Sequence, residues 1–431
     1  MKDVKYILMD TAGYDYHQLQ QKLTDLAARG WHLEKAGNMV WRFRRGEPKQ
    51  VRYEIIFSAA ASAFNSRPTE AEETLADLCV QAGWERVAAL AQLQIFRSED
   101  PNATPLETDE FQKLENIRRT MKKHFIPQQL LMIVLFLLQF LMHGSTAMLH
   151  PTRTLSSMMM VTTLAMLLGI VLIYAILLIN NLLWLRRARI EVDAGRPIPA
   201  NGFYRKFRWV VWGILAVYLI VLLCLVEPMF TVMVLLISAV LIGTTLGTIH
   251  LCKQMNAPRW VNITAPVVTG TLVVIFAMVL FIAATDNFLL NHELPQAESL
   301  PLTLTQLTGE TGTERTILDD QRTPLAGYQR CWDQGGEERI AYTIVDIPCS
   351  LFYEMILNEQ ERSYLEAAGW LADDTITYEQ REEFGADYIR RSTSKTYDRW
   401  FICWDDRIVT LRASWALTGE QIAIVAQALK P

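Results

Sequence analysis

Five runs of apolar residues crowd the stretch between positions 126 and 285, and each is long enough to cross a bilayer. The hydrocarbon core of a membrane takes about 20 apolar residues as helix. The runs lie near Pro127–Met142 (extending toward Leu149), Ser157–Leu185, Trp209–Val226, Met229–Leu251 and Ile263–Thr285. That layer holds no water, so backbone polar groups must bond within their own segment, which selects helices over open strands. A soluble fold has no interior for five such runs in close series. None of the five contains Asp, Glu, Lys or Arg, whereas ion- and proton-coupled transporters generally carry ionisable groups there. The strongest polar groups, Gln128, Gln129, Gln139, Asn180 and Asn181, fall mostly near helix ends. Gly243 and Gly247 form a G-x-x-x-G spacing and are candidates for close helix packing.

Composition alone hides this segregation, since 51% of residues are hydrophobic and 20% charged across the whole chain. Residues 1–125 hold 18 basic and 18 acidic side chains, residues 126–284 hold 10 and 3, and residues 285–431 hold 13 and 25. Basic residues also mark orientation, because cytoplasmic loops are enriched in Lys and Arg. Arg118, Arg119, Lys122 and Lys123 precede the first run, and only Arg153 separates the first from the second. Seven basic residues from Arg186 to Arg208 follow the second, none accompanies the turn expected at Glu227-Pro228, and Lys253 and Arg259 precede the fifth. The alternation puts the amino terminus in the cytoplasm and the carboxy terminus outside, in a multi-pass protein of the cell membrane. The first 30 residues lack the apolar run of a cleavable signal, which fits a cytosolic amino-terminal domain.

That domain repeats itself. Gly30-Trp31 leads to Phe43-Arg44 and Gly83-Trp84 to Phe96-Arg97, both after 13 residues, with the copies 53 apart. Each copy reads as strand, helix, strand, strand, with helices near Tyr16–Ala28 and Thr69–Gln81 ended by glycine. The fold class is therefore a multi-domain α-helical membrane protein. It comprises a cytosolic α+β domain of two βαββ repeats (1–104), with a ferredoxin-like sheet as the candidate arrangement, and a juxtamembrane helical connector (105–125). Five transmembrane helices (126–285), a stalk (286–315) and an extracytoplasmic acidic α+β domain (316–431) follow. In that last domain strands are expected near Gly327–Trp332, Arg339–Ile347, Ala386–Arg391, Trp400–Trp404 and Arg407–Trp415. Helices are expected near Leu351–Ala368 and Thr418–Leu429, the latter with a Thr418/Gln421 capping box.

The stretch from Gly30-Trp31-His32-Leu33 through Trp41-Arg42-Phe43-Arg44 to Val51-Arg52-Tyr53, with Ala82-Gly83-Trp84-Glu85 and Ile95-Phe96-Arg97-Ser98, resembles the domain of unknown function 2812 family. Both halves occur in order over roughly residues 1–110. The resemblance implies a bacterial membrane protein with a cytosolic domain, of a kind whose genes often neighbour PadR-type regulators, and it implies no activity.

Arg42 and Arg44, with Lys49 and Arg52, are the candidate partner- or anion-binding residues, since a basic face edged by Trp41 and Phe43 suits phosphate, anionic lipid or an acidic protein. A domain of zero net charge gives no reason to expect nucleic acid. No P-loop, G-x-S-x-G or H-E-x-x-H motif marks a catalytic or cofactor site. His292 is the only histidine after the last run, so the outer domain offers no His-based triad or zinc site. Asp373, Asp374, Glu379, Glu382 and Glu383 make that domain acidic and suggest a cation or a basic peptide as ligand. Cys331, Cys349 and Cys403 lie where disulfides persist and are candidates for one pairing that leaves one thiol over. These features lead to a non-enzymatic membrane sensor or regulatory component joining an outer domain to a cytosolic partner-binding domain. The alternative is a transport-related or lipid-handling subunit.

Overall fold

The computed structural model describes residues 3–9, 16–37, 40–59, 61–62, 64–65, 67–100, 102–225, 228–291, 300–369, 375–378, 385–393 and 397–431. The features expected at Glu227, His292, Asp373, Asp374, Glu379, Glu382 and Glu383 lie outside the described residues. Two compact units emerge, one from residues 1–136, 169–221 and 228–280, the other from residues 137–168, 222–227 and 281–431.

The first unit begins with β1 (Val4–Leu8), α1 (Tyr16–Ala28), β2 (Trp31–Lys35) and β3 (Val40–Arg45). It continues with β4 (Arg52–Phe57), α2 (Glu70–Gln81), β5 (Glu85–Leu90) and β6 (Leu93–Ser98). The six strands form two antiparallel three-stranded sheets, ordered β1-β3-β2 and β4-β6-β5. The single ferredoxin-like sheet expected from sequence is not what forms. Helix α1 instead lies against both β2 and β4, and a core of Tyr16, Leu23 and Ala27 with Trp41, Phe43, Tyr53, Ile55 and Ile95 fills the space. Full burial of each large apolar side chain is worth roughly 1.5–3 kcal/mol. A second core, Ile56, Cys79, Trp84 and Phe96, lies under α2. Both turns out of the helices use a glycine at positive φ, Gly30 at 78° and Gly83 at 82°, a conformation that costs a side-chain-bearing residue about 1–2 kcal/mol.

The connector is α3 (Glu110–Thr120), which passes through one π turn (Met121–Phe125) into α4 (Ile126–Leu149) without a break. Pro127 accounts for the π turn: it has no N–H to bond back, and its ring crowds the preceding carbonyl, so the helix widens there. Next come α5 (Pro151–Ser156), α6 (Met158–Asp193), α7 (Phe203–Leu225), α8 (Pro228–Gln254) and α9 (Arg259–Asn291). Among the described residues four helical stretches are long and apolar enough to cross a membrane: Glu110–Leu149, Met158–Asp193, Leu235–Gln254 and Arg259–Leu280. The 23-residue helix α7 falls at the third expected run.

Inside the first unit the amino-terminal core also takes in Leu114, Ile117 and Met121 from the connector, Trp184 and Ala188 from the end of α6, and Ile198 from the loop after it. Ile198 N donates to Glu110 at 3.1 Å, and Trp184 Nε1 to the Pro199 carbonyl at 2.9 Å. The α8–α9 loop is fastened as well, with Arg67 Nε donating to Asn256 at 2.9 Å and Asn262 Nδ2 to the Phe64 carbonyl at 2.8 Å. Asn181 bonds Gln129 at 3.1 Å between α6 and α4. Gly243 and Gly247 meet no neighbour where a Cβ would stand, whereas one at Gly270 would lie 3.6 Å from Leu241. Helices α8 and α9 thus touch beside Gly270, where the Thr248 and Thr269 hydroxyls also bond at 3.3 Å.

The second unit carries α10 (Leu304–Thr308), β7 (Glu314–Arg322), β8 (Gly327–Gly335), β9 (Glu338–Asp346), α11 (Tyr353–Gly369), β10 (Thr375–Tyr378), β11 (Tyr388–Thr393), β12 (Asp398–Cys403), β13 (Arg407–Ala413) and α12 (Gly419–Leu429). One antiparallel sheet runs β10-β11-β12-β13-β9-β8-β7. Central β12 is buried on both sides, so its side chains divide by parity: Trp400 and Ile402 join the core under α10 and α12, Phe401 and Cys403 the core under α11. Leu300, Leu302, Leu304 and Leu307 belong to the first of these cores, so part of the segment expected as a stalk is built into the domain. Leu155 of α5 belongs to the second core, and the Thr152 N–H donates to Glu359 at 2.8 Å. Thr418 caps α12 reciprocally with Gln421.

Candidate functional site

The four basic residues singled out in the amino-terminal domain divide into two groups. Glu34 is the unpaired residue of the β2 bulge between Leu33 and Lys35. Arg42 Nε lies 2.9 Å and Arg44 Nη2 2.6 Å from its carboxylate. Lys49 and Arg52 stand apart from these, at the start of the other sheet. Lys49 reaches Glu99 at 3.1 Å, and Arg52 donates to the Ala103 carbonyl at 3.0 Å with Glu54 at 3.9 Å and the Trp84 ring 5.8 Å away. Each cation already has an acid beside it. Exposed pairs of this kind contribute about 0–1 kcal/mol, so these pairings are weak.

In the carboxy-terminal domain Trp332, Arg339, Ala341, Tyr397 and Arg412 line a cavity of about 240 Å³. Arg412 and Ala341 are register partners on β13 and β9, and their strand neighbours Leu411, Ala413, Ile340 and Tyr342 point into the core on the opposite face. The Arg412 guanidinium lies 3.5 Å from the centre of the Tyr397 ring. Among the described residues neither Arg339 nor Arg412 has a carboxylate within 4 Å. Two guanidinium groups walled by aromatic rings suit a carboxylate or phosphate. The sequence held a faint signal for this pair, since each arginine alternates with apolar residues on its strand, but their pairing depends on the strand order.

The remaining buried polar groups hold the fold. Asp333 is fully buried, accepts the Leu304 N–H at 2.7 Å and has Arg315 at 3.6 Å. The Tyr342 hydroxyl donates to the Leu302 carbonyl at 2.9 Å and accepts the Leu302 N–H at 3.0 Å. Together they pin residues 302–304 to the sheet. Cys331, Cys349 and Cys403 are free thiols. Cys331 and Cys403 belong to cores on opposite faces of the sheet. Burial pushes the Cys331 thiol up, and it pushes Cys403 up to about 12 with Glu361 adding to the effect. No group of three or more His, Cys, Asp or Glu among the described residues is arranged to hold a metal ion.

Residues 15–127 match the family model described as protein of unknown function (DUF2812). The chain carries a DUF2812 domain. The matched segment runs from the edge of α1 through β2 to β6 and the connector to Pro127, with β1 preceding it, so the connector helix is part of the DUF2812 domain. No curated protein and no solved structure matches the chain.

Proposed function

We propose that the protein is a non-enzymatic membrane regulatory component with five spans, a cytosolic DUF2812 domain that engages a partner, and an extracytoplasmic domain that receives an anionic ligand. The observation that carries this reading is the alternation of loop attachments. The α4–α5 segment packs on the carboxy-terminal domain through Leu155 and Thr152. The loops after α6 and α8 pack on the DUF2812 domain through Ile198, Asn256 and Asn262. Successive loops belong to opposite membrane faces when each apolar helix crosses once, and the basic loops fall with the DUF2812 domain as the enrichment of Lys and Arg in cytoplasmic loops requires. Alkaline phosphatase and fluorescent-protein fusions after residues 150, 195, 228, 256 and 431 test the orientation; a cytosolic residue 431 overturns it.

The two halves of the DUF2812 domain are, in this reading, copies of one βαββ unit. The support is position by position: equal strand order, glycines at matching φ, and a bulge at Glu34 in one and Val87 in the other, again 53 residues apart. Regulation is tested by hydrogen exchange on the full chain in nanodiscs with citrate or phosphate added. The expected result is altered exchange at α3 and in the DUF2812 domain; a change confined to the carboxy-terminal domain refutes the coupling.

A further inference from the structure

The sheet β1-β3-β2 has one covered face and one open face. Ile7, Leu33, Trp41 and Phe43 pack inward with α1. The other face displays Tyr6, Leu8 and Val40, which are 66%, 62% and 50% exposed. Register places Tyr6 opposite Arg42 and Leu8 opposite Val40. In the second sheet the same two rungs are Ile55 opposite Ile95 and Phe57 opposite Leu93. There all four side chains are buried in the core that contains α1. Helix α1 therefore serves two sheets, its own and the next.

Helix α2 occupies the corresponding place in the second copy and serves only its own sheet. Leu75 and Cys79 pack on Ile56, Trp84 and Phe96, while Val80, about 100° round the helix from Cys79, is 60% exposed. Val80 stands 53 positions after Ala27, and Ala27 is the fully buried residue by which α1 enters the two-sheet core. The domain thus ends in two unmatched surfaces, a sheet face lacking its second helix and a helix lacking its second sheet. Their charges are opposite. Helix α2 exposes Glu70, Glu73 and Asp77 and carries no basic residue, its Glu72 being buried against Gln94, whereas beside its apolar side chains the open face carries Arg42 and Arg44, which share the single carboxylate of Glu34. An acidic helix that presents Val80 to a basic, apolar sheet has both attraction and area to bury.

We propose that α2 of a second copy of this chain docks on the open β1-β3-β2 face, repeating between molecules the contact that α1 makes with β4-β6-β5 within one. The inference rests on the reading of the two halves as copies of one unit. The contact is heterologous, so it closes as a reciprocal dimer or runs on as a row of molecules in one membrane.

The test uses full-length protein in nanodiscs and detergent. Leu8→Cys and Val80→Cys chains are prepared separately, mixed and mildly oxidised, with the wild type oxidised alongside. A disulfide-linked dimer is expected in the mixture and in neither variant alone. Light scattering is expected to show a mass of two protomers or more, and Val80→Lys to weaken the association at least tenfold without lowering the melting temperature. No mixed crosslink with a monomer mass overturns the proposal, as do crosslinks only between identical variants or a lower melting temperature in Val80→Lys. Ala27→Lys separates the two layers of argument. It is expected to lower the melting temperature, and if it does not, the reading of the halves as copies fails as well; if it does while no crosslink forms, only the association fails.

Discussion

Replacing Gly30 or Gly83 by alanine puts the same chemical change into the same turn with different neighbours. Both glycines have φ near 80°. A left-handed backbone costs alanine about 1–2 kcal/mol, and the stiffer unfolded chain returns about 0.4–1 kcal/mol. At Gly83 nothing lies within 4 Å of a new Cβ, so the net loss is about 0.5–1 kcal/mol by that balance. At Gly30 the Cβ would stand 2.7 Å from the Gly46 carbonyl oxygen, a backbone atom that cannot rotate away. Overpacking of that kind adds about 1–3 kcal/mol, and the Gly46 N–H that bonds the Gly30 carbonyl at 2.9 Å moves with it. The assay is hydrogen exchange on the full chain in detergent, comparing opening free energies of β2–β3 in Gly30→Ala with those of β5–β6 in Gly83→Ala. The first sheet is expected to lose at least about 1 kcal/mol more than the second, a fivefold or greater rise in exchange rate. Equal losses, or a larger loss at Gly83, refute the account of the two turns.

Burial holds the Glu107 carboxyl above its usual range, with an Asn116 hydrogen bond and Lys113 pulling it down. The folded state therefore binds a proton more readily than the unfolded one, and stability falls as pH rises from about 4.5 through the raised value. Glu107→Gln is expected to melt higher than the wild type at pH 7 and alike at pH 4, read by thermal unfolding at both. Of the three thiols in the carboxy-terminal domain, half-exposed Cys349 is expected to react first with a maleimide at pH 8, with Cys331 and Cys403 protected until the domain unfolds; mass spectrometry of labelled peptides decides this. Arg412→Ala is expected to weaken citrate or phosphate binding by tenfold or more in calorimetry, because it removes one of two guanidinium groups.

Much of the architecture is legible before any coordinates. The Gly-Trp and Phe-Arg pairs work as markers because the turn demands glycine and the aromatics pack inward: Phe43, Trp84 and Phe96 fill cores, and half-buried Trp31 packs against one. Thr418 with Gln421 announces a helix start that forms as read. Strand β7 is missed because it is an edge strand, and the charges that make Glu314–Arg322 look like a loop are what such an edge tolerates. The basic cluster is read too simply, since Glu34 and Glu99 become its neighbours only through the β2 bulge and the β4–β6 pairing. Trp184, Ala188 and Ile198 give no sequence sign of a role in the amino-terminal core, as apolar residues at a span's end are what lipid also requires.

That last group bears on how the protein comes into being. A chain leaves the ribosome amino terminus first, yet the core begun by Tyr16 and Trp41 is not whole until Ile198 has been made. Helices α4 and α6 have both been made by then. The carboxy-terminal core waits in the other direction, because Leu155 is synthesised long before Ile356 and Phe401 that close around it. Neither core can close before helices α4 and α6 have been made. A truncation at residue 104 takes Leu114, Ile117, Met121, Trp184, Ala188 and Ile198 out of the amino-terminal core. Stability at each end thus rests in part on residues contributed by the helices that lie between them in sequence.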